Sequence, residues 1–274
     1  MQLNEDPTAA IPGIELRQKQ GKEGILISEV RVLNEEGSRQ IGRLPGHYIT
    51  LEAPGLRDNN LALHEAAASL LARELKRLAP SARRKKLLVV GLGNRQVTAD
   101  ALGPLAAEQI LITRHIRNGL PKELKGNLGT VACITPGVMG QTGIETEEIA
   151  EAVVKKIRPD LVLAIDALAA GSAARLNATI QLCDTGVRPG AGMGNRRQEL
   201  SEKTLGVPVL AVGVPTVVDA GILAEGREEA DLKNFYVTTK DMDAAARRLS
   251  RIIAGAVNLW AHRLTREELR AYLY

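Results

Sequence analysis

The 274-residue sequence is poor in aromatic residues, in cysteine and in long apolar runs. It contains one Phe, one Trp and four Tyr. A platform for single-stranded nucleic acid needs several rings on which bases can stack, so this scarcity argues against one. No apolar run reaches the roughly 18 residues that a membrane-spanning helix needs, and the basic and apolar regions of a signal peptide are missing. We therefore expect a protein of the cytoplasm.

Cysteine is scarce and the charge is nearly balanced. The two cysteines, Cys133 and Cys183, lie inside apolar segments. We expect them to be small buried residues in a reducing compartment and not a disulfide framework. The net charge of +4 is mildly basic, and short runs such as 83–86 carry most of the excess. Because a solvated surface accounts for such runs, we expect no direct contact with nucleic acid and none with a membrane.

The sequence is rich in aliphatic residues. Hydrophobic residues make up 45% of the chain. Strand-like apolar segments alternate with segments of helical periodicity, which predicts an α/β fold, a mostly parallel twisted sheet with helices on both faces. Residues 1–23 are expected to be a flexible leader and 24–274 a single α/β domain. Within it, 25–32 and 47–52 are predicted to form a small antiparallel N-terminal extension.

The predicted boundaries of the other elements follow from apolar runs, caps and prolines. Further strands are predicted at 87–90, 130–134, 161–166, 177–183 and 208–214. Helices are predicted between the cap at 58–60 and Pro80, from Pro104 to about Asn118, from about Thr146 to Arg158 and from Met242 to about His262. A turn is predicted at 34–37.

Two predicted strands lead into an aspartate. Asp100 lies in the loop after strand 87–90, and Asp166 ends the run 161–166. Because the carboxyl ends of parallel strands line the ligand crevice, both should face it. Two carboxylates in one site do not both ionise easily, so one keeps a proton while the other acts as a base. Such a pair can activate water against a peptide carbonyl and protonate the leaving amine, although each aspartate can equally serve as a helix cap.

Several familiar catalytic patterns are absent. After Gly91 and Gly93, the third glycine of a dinucleotide-binding loop would fall at Gln96, and no carboxylate follows at a strand end about 20 residues later. There is no Walker sequence, no Gly-x-Ser-x-Gly and no His-Glu-x-x-His. His64 and His115 lie near predicted helix ends, where surface exposure and the helix dipole explain them.

A metal site is an alternative use of the same carboxylates. Asp100 and Asp166 can bind a cation with a third ligand such as Asp219, Glu145 or a histidine. No spacing in the sequence requires that arrangement, so we predict a site without metal or cofactor and keep the metal-assisted site as the alternative.

Glycine-rich loops after the strands are the expected place for substrate contacts. The long loop 135–145 and the segment 184–197 are both of this kind. The predicted substrate-binding residues lie on these loops and beside Asp100: Asn94, Thr98, Gly137, Met139, Gly140, Thr142, Asn195 and Arg196.

Six segments, in order, resemble the germination proteases of spore-forming bacteria. The first reads Gly91-Leu-Gly-Asn-x-x-Val-Thr-x-Asp-Ala-Leu-Gly-Pro104, followed by Thr113-Arg-His115. The others are 136–146, 164–170, 177–181, 194–197 and 213–220. The resemblance extends from about residue 24 to residue 262 and so covers most of the chain.

The resemblance implies a function. Members of the family are endopeptidases of an unusual aspartic type that degrade small acid-soluble spore proteins in the spore core during germination. Their proposed catalytic aspartates fall on Asp100 and Asp166. The family also implies a fold similar to the hydrogenase-maturation endopeptidases, which bind metal at corresponding acidic positions, and a homo-oligomer, a tetramer, made as an inactive precursor.

The sequence departs from the family pattern in two places. Residues 1–23 contain no convincing copy of the substrate-like processing sequence, and only about 20 residues separate the motif ending at Ala220 from Lys240, where the family carries a long insertion. Two alternatives therefore accompany the endopeptidase prediction: a metal-assisted peptidase of the hydrogenase-maturation type, and a non-catalytic spore protein that binds peptides on the same scaffold.

Overall fold

One mixed sheet organises the part of the chain that the structure describes. The computed structural model describes residues 11–80, 86–119, 126–189, 198–223, 232, 235–262, 264 and 268. Nine strands lie within these ranges: β1 (Ile14–Gln20), β2 (Leu26–Val32), β3 (Gly46–Glu52), β4 (Lys86–Leu92), β5 (Thr130–Gly137), β6 (Leu161–Ala170), β7 (Thr179–Cys183), β8 (Val209–Asp219) and β9 (Tyr236–Val237). Their order is β1-β2-β3-β7-β8-β6-β4-β5, and β9 pairs with β8.

The sheet has two halves of different character. Strands β8, β6, β4 and β5 pair in parallel, and we call them the parallel half. Strands β1, β2 and β3 pair antiparallel and form the N-terminal arm, which joins the rest of the sheet through β7. The α/β prediction is confirmed, and the antiparallel part is larger than the two-strand extension that the sequence predicts.

Strand β1 lies within the predicted leader. Its seven residues pair with β2 from Ile14 opposite Val32 to Gln20 opposite Leu26, so the prediction of a flexible segment is wrong for this stretch. The strand lies at the sheet edge, and its last five residues are exposed. An edge strand that buries neither face lacks the alternation of apolar and polar residues that identifies strands in a sequence.

Eight α-helices lie in the described ranges: α1 (Glu35–Ile41), α2 (Leu61–Leu78), α3 (Leu102–Ala107), α4 (Met139–Thr142), α5 (Thr146–Ile157), α6 (Glu202–Leu205), α7 (Ala220–Leu223) and α8 (Met242–Ala261). Asn60 caps α2 as predicted, its side chain accepting from the Leu63 N–H. The predicted turn at 34–37 instead begins α1, because the Asn34 side chain caps that helix. None of the helices described is both long and apolar enough to cross a membrane.

Helices cover both faces of the parallel half. On β4, Leu87 and Val89 pack in one apolar cluster with α2 and α8, whereas Leu88 and Val90 pack in a second cluster with α5. Because both faces are buried, these strands are continuously apolar instead of alternating. Such runs were recognisable in the sequence for that reason.

Helix α3 is much shorter than predicted. It ends at Ala107, whereas the sequence predicts a helix to about Asn118. After Ala107 the chain turns to follow the outer edge of β5, where the Thr113 and Arg114 N–H groups donate to the carbonyl of Val131 at 3.1 and 2.9 Å. His115 therefore lies in an exposed turn and not at a helix end.

Candidate active site

The loop after β4 returns tightly against the end of its own strand. We call residues 93–100 the Asp100 turn. Gly93 has φ of +108°, and a Cβ atom there would collide with the main-chain carbonyl oxygen of Asp100. Only glycine fits this combination of a positive φ and a close approach. The glycine that suggested a nucleotide loop thus serves to place a carboxylate beside the strand end.

Asp100 ends a short 3₁₀ helix, Thr98–Asp100, and is half-buried. The main-chain N–H of Asn94 donates to its Oδ2 at 2.7 Å. The N–H of Asp100 itself donates to the carbonyl of Val97 at 2.8 Å. Hydrogen bonds inside the turn therefore hold both the side chain and the main chain of Asp100.

The start of α3 brings the Asp100 turn against β6. A Cβ atom on Gly103 would lie 2.5 Å from the carbonyl oxygen of Ile165 and 2.5 Å from the main-chain nitrogen of Leu92. The helix backbone therefore packs directly on both strands, and residues 98–100 contact β6 and β8. The residue after Ile165 is Asp166, so the structure brings the elements that carry the two aspartates into contact.

Asp166 lies inside β6 and not at its end. Pairing with β4 stops at Ile165 opposite Gly91, but β8 continues beside β6 to Ala170, so the strand is longer than predicted. The Asp166 side chain is 4% exposed, and its Oδ1 accepts from the Ala167 N–H at 2.9 Å. Asp166 is thus the first residue of β6 beyond its pairing with β4.

The predicted substrate-binding residues fall into two groups that the structure joins. Asn94 and Thr98 lie on the Asp100 turn. Gly137 ends β5. Met139, Gly140 and Thr142 lie in α4, and we call this helix with the residues on either side of it, 138–144, the Gln141 loop. Gln141 Nε2 donates to Asn94 Oδ1 at 2.9 Å and so connects the turn to the loop. Asn195 and Arg196 lie outside the described residues.

Sequence reasoning missed Gln141. Nothing in its local pattern indicates that it would meet Asn94, a residue 47 positions earlier in the chain. Gly137 gives a partial signal that the loop turns sharply where it leaves the strand. Its φ of +76° favours glycine, and a Cβ atom there would lie only 2.9 Å from Gln141 Oε1.

Apolar side chains are exposed on both connected segments. Val97 on the Asp100 turn is 49% exposed, and Met139 and Ile144 on the Gln141 loop are 46% and 47% exposed. Large apolar side chains exposed together are a feature of binding surfaces.

The histidines and cysteines do not form a nucleophilic site. Burial raises the pKa of the Cys133 thiol to about 11 and also raises that of Cys183, so both free thiols stay protonated near neutral pH. His64 Nε2 contacts the carbonyl of Leu56 at 3.1 Å, so His64 has a structural contact within the local fold. Among the described residues, no three His, Cys, Asp or Glu side chains form a group able to bind a metal ion. Neither Asp219 nor Glu145 forms such a group with Asp100 and Asp166.

Comparison with known proteins identifies the family. A family model described as germination protease matches residues 1–272. The germination protease of Clostridium tetani is 42% identical over 96% of this chain and 93% of its own length. Those of Caldanaerobacter subterraneus subsp. tengcongensis and a Geobacillus species are 46% and 45% identical over 84% and 86% of this chain, which cover 70% and 63% of those proteins. The family model and the relatives make this chain a peptidase. It belongs to the germination protease family, as its motifs predict.

One solved structure is a more remote match. A [NiFe] hydrogenase maturation protease, HycI, from Thermococcus kodakarensis is 18% identical, with a TM-score of 0.35. The match covers 63% of this chain and 93% of that one. At this distance the match has no bearing on the chemistry of the site.

Proposed function

We propose that this protein is an endopeptidase that hydrolyses small acid-soluble spore proteins during germination, with Asp100 and Asp166 as its catalytic pair. The observation that carries the proposal is the packing of the Asp100 turn on β6 at the residue before Asp166. Membership of the germination protease family supports the substrate and the setting in the spore core.

The two carboxyl groups differ in burial, and we assign their roles from that difference. Asp166 is 4% exposed, whereas Asp100 is half-buried at the surface of the turn. Ionising a carboxyl deep in the protein is costly because the charge loses its hydration. Asp166 is therefore the member that keeps a proton, and Asp100 is the ionised member that solvent water can reach.

The reaction follows from these roles. Asp100 takes a proton from water as the water oxygen attacks the scissile carbonyl, and Asp166 donates its proton to the leaving amine. The Asn94 N–H, 2.7 Å from Asp100 Oδ2, orients the base. The pair then exchanges its proton before the next cycle and is expected to titrate as a unit.

The neighbouring surface is suited to an extended substrate. Val97 on one segment and Met139 on the other expose apolar side chains, and the Asn94–Gln141 hydrogen bond keeps the two segments together. A small acid-soluble spore protein without a stable fold can place apolar side chains there while a peptide bond lies at Asp100. Thr98, Gly137, Gly140 and Thr142 belong to this proposed surface. Asn195 and Arg196, outside the described residues, are proposed as substrate-binding residues on the family resemblance.

The test is cleavage of a small acid-soluble spore protein by the purified chain, followed by mass spectrometry of the products. Asp100→Asn and Asp166→Asn should each lower kcat by roughly 100-fold or more, because each removes one proton-transfer group. Asp160→Asn is the matched control, since Asp160 also accepts a main-chain N–H, from Lys86 at 2.6 Å, but at the amino ends of β4 and β6. Circular dichroism should show all three variants folded. Full activity of either site variant contradicts the proposed pair, and binding without cleavage by the unaltered chain contradicts the enzyme.

A homo-oligomer made as an inactive precursor is part of the proposal, on the strength of the family resemblance. Light scattering after size exclusion should give the mass of a tetramer, and a monomer at all concentrations contradicts that part. Activity should survive extensive treatment with a chelator. Loss of activity that a divalent cation restores would instead favour the metal-assisted reaction.

A further inference from the structure

Strand β8 contains a proline and a bulge where it passes the Asp100 turn. Leu168 of β6 pairs with Pro215, but Ala169 pairs with Val217, so Thr216 is an extra residue with no partner on β6. Proline cannot donate to a ladder, and a bulge redirects the side chain of the extra residue. The bulge therefore releases Thr216 from the regular alternation of the strand.

Thr216 directs its side chain to the Asp100 turn. Its Oγ1 donates to the carbonyl of Ala99 at 2.6 Å, and the residue is 1% exposed. Because the Asp100 N–H already donates to the Val97 carbonyl, both polar groups of the Ala99–Asp100 peptide are held. We infer that Thr216 is a positioning residue that fixes the main chain of Asp100 for the reaction. This inference rests on the proposed catalytic role of Asp100.

A second hydroxyl supports the first. Thr238, directly after β9, donates from its Oγ1 to the carbonyl of Thr216 at 2.6 Å. The carbonyl of Pro215 accepts from the Asn177 N–H at 2.8 Å, and the Asn177 side chain donates to Thr239 Oγ1 at 3.0 Å. The bulge is thus held on both sides, and a chain of two hydroxyl-to-carbonyl bonds runs from Thr238 to the Asp100 turn.

Loss of the Thr216 hydroxyl should misplace Asp100 without unfolding the turn. Ala99 also packs against an apolar cluster that contains Met242 and Ala246 of α8, so the turn keeps a second attachment. A misplacement of about 1 Å at a reacting group is enough to slow catalysis by roughly 100-fold. The predicted defect is therefore in kcat.

The experiment compares Thr216→Val with Thr216→Ser and with a matched control, Thr113→Val. Thr113 is 0% exposed, and its Oγ1 donates to the carbonyl of Gly129, also at 2.6 Å, at the far edge of the sheet. With a small acid-soluble spore protein as substrate, Thr216→Val should lower kcat by roughly 10- to 100-fold and change KM by less than about threefold. Thr216→Ser should restore most of kcat, and Thr113→Val should keep it.

Hydrogen exchange gives a readout that does not depend on activity. The Asp100 amide should exchange faster in Thr216→Val than in the unaltered chain, and Thr113→Val should leave that amide unchanged. An unchanged kcat in Thr216→Val, failure of Thr216→Ser to restore it, or an equal loss in Thr113→Val overturns the inference.

Asp100→Asn separates this inference from the proposed function. If Asp100→Asn is inactive while Thr216→Val is fully active, only the inference fails. If Asp100→Asn keeps full activity, the proposed function of Asp100 fails, and the role of Thr216 fails with it.

Discussion

The parallel half and the N-terminal arm belong to one sheet but place their charged groups differently. In the parallel half, carboxylates occur where strands end or separate, as at Asp100 and Asp166. In the arm, charges form a network with the helix that covers it: Arg77 of α2 contacts Glu29 of β2 at 2.8 Å and Glu74 of its own helix at 2.8 Å. An opposite charge nearby favours the ionised form of a carboxyl group, whereas a like charge disfavours it, so only the second arrangement keeps a proton for transfer near neutral pH. The proposed chemistry therefore belongs to the parallel half, and the ion pairs of the arm have a structural part.

The largest expected effect comes from a substitution where α3 packs on the parallel half. Gly103→Ala would drive a methyl group into main-chain atoms of Leu92 and Ile165, which cannot move aside as a flexible side chain can. We expect a loss of about 3 kcal/mol or more in the free energy of unfolding, measured in urea, together with loss of activity. Gly255→Ala in α8 is the control.

The control replaces a glycine that has room. The nearest atom to a Cβ on Gly255 is 3.8 Å away, so alanine should raise stability by about 0.5–1 kcal/mol through its better helix propensity. Equal stability of the two variants would show that α3 is not held against the strands as closely as the structure has it.

The second effect concerns a buried histidine beside the parallel half. His262, after α8, accepts from the Gly129 N–H at Nδ1, so Nε2 carries the proton and donates to the Leu111 carbonyl at 3.1 Å. Burial lowers the pKa of His262 to about 4, although the bond to Leu111 opposes the shift. The unfolded chain binds this proton more tightly, near pH 6.5, so stability is complete above pH 6.5 and falls as the pH drops towards 4.

The size of that effect is roughly 3 kcal/mol between pH 6.5 and 4, measured as the free energy of unfolding across the pH range. His262→Gln keeps a donor and an acceptor but cannot titrate. The variant should therefore remove the pH dependence of the free energy of unfolding between pH 6.5 and 4. If the pH dependence persists in His262→Gln, another group is its cause.

The sequence predicts the parallel half far better than it predicts the arm. Strands buried on both faces are continuous apolar runs, so β4 and β6 are recognisable, and the aspartates that follow such runs are visible as candidates. Strand β1 is an exposed edge, and its polar residues do not distinguish it from a leader. In α1, Gly37 and the polar residues around it resemble a turn, although the Asn34 cap was a signal for a helix.

The contacts that complete the candidate site depend on the folded chain. Gln141 meets Asn94, and Thr216 meets Ala99, only because segments distant in the sequence converge near the carboxyl ends of the parallel strands. The periodicity of the sequence does not predict such contacts. Pro215 inside an apolar strand was one available signal, because proline in a central strand predicts a bulge and hence a redirected side chain.

The smallest expected effect tests the ion pairs that join α2 to the arm. Glu74 is 2% exposed, and burial would raise its pKa, but the hydrogen bond and charge of Arg77, with Lys19 and Arg73, lower it below the usual range. The carboxylate therefore adds stability above the ordinary Glu pKa of about 4.3, and that stability is lost as the pH falls below it. Glu74→Gln should lower the free energy of unfolding at pH 7 by about 2 kcal/mol, since the cations around it lose their partner.

Because the network joins α2 to the arm, away from the Asp100 turn, Glu74→Gln should leave kcat unchanged on a small acid-soluble spore protein while urea unfolding shows the loss of stability. The acid-induced loss below about pH 4.3 should shrink in this variant. The loss of stability between pH 6.5 and 4 that comes from His262 should be the same as in the unaltered chain. A fall in kcat at full folding would mean that the arm transmits its geometry to the Asp100 turn, and the division of roles between the two halves of the sheet would then be wrong.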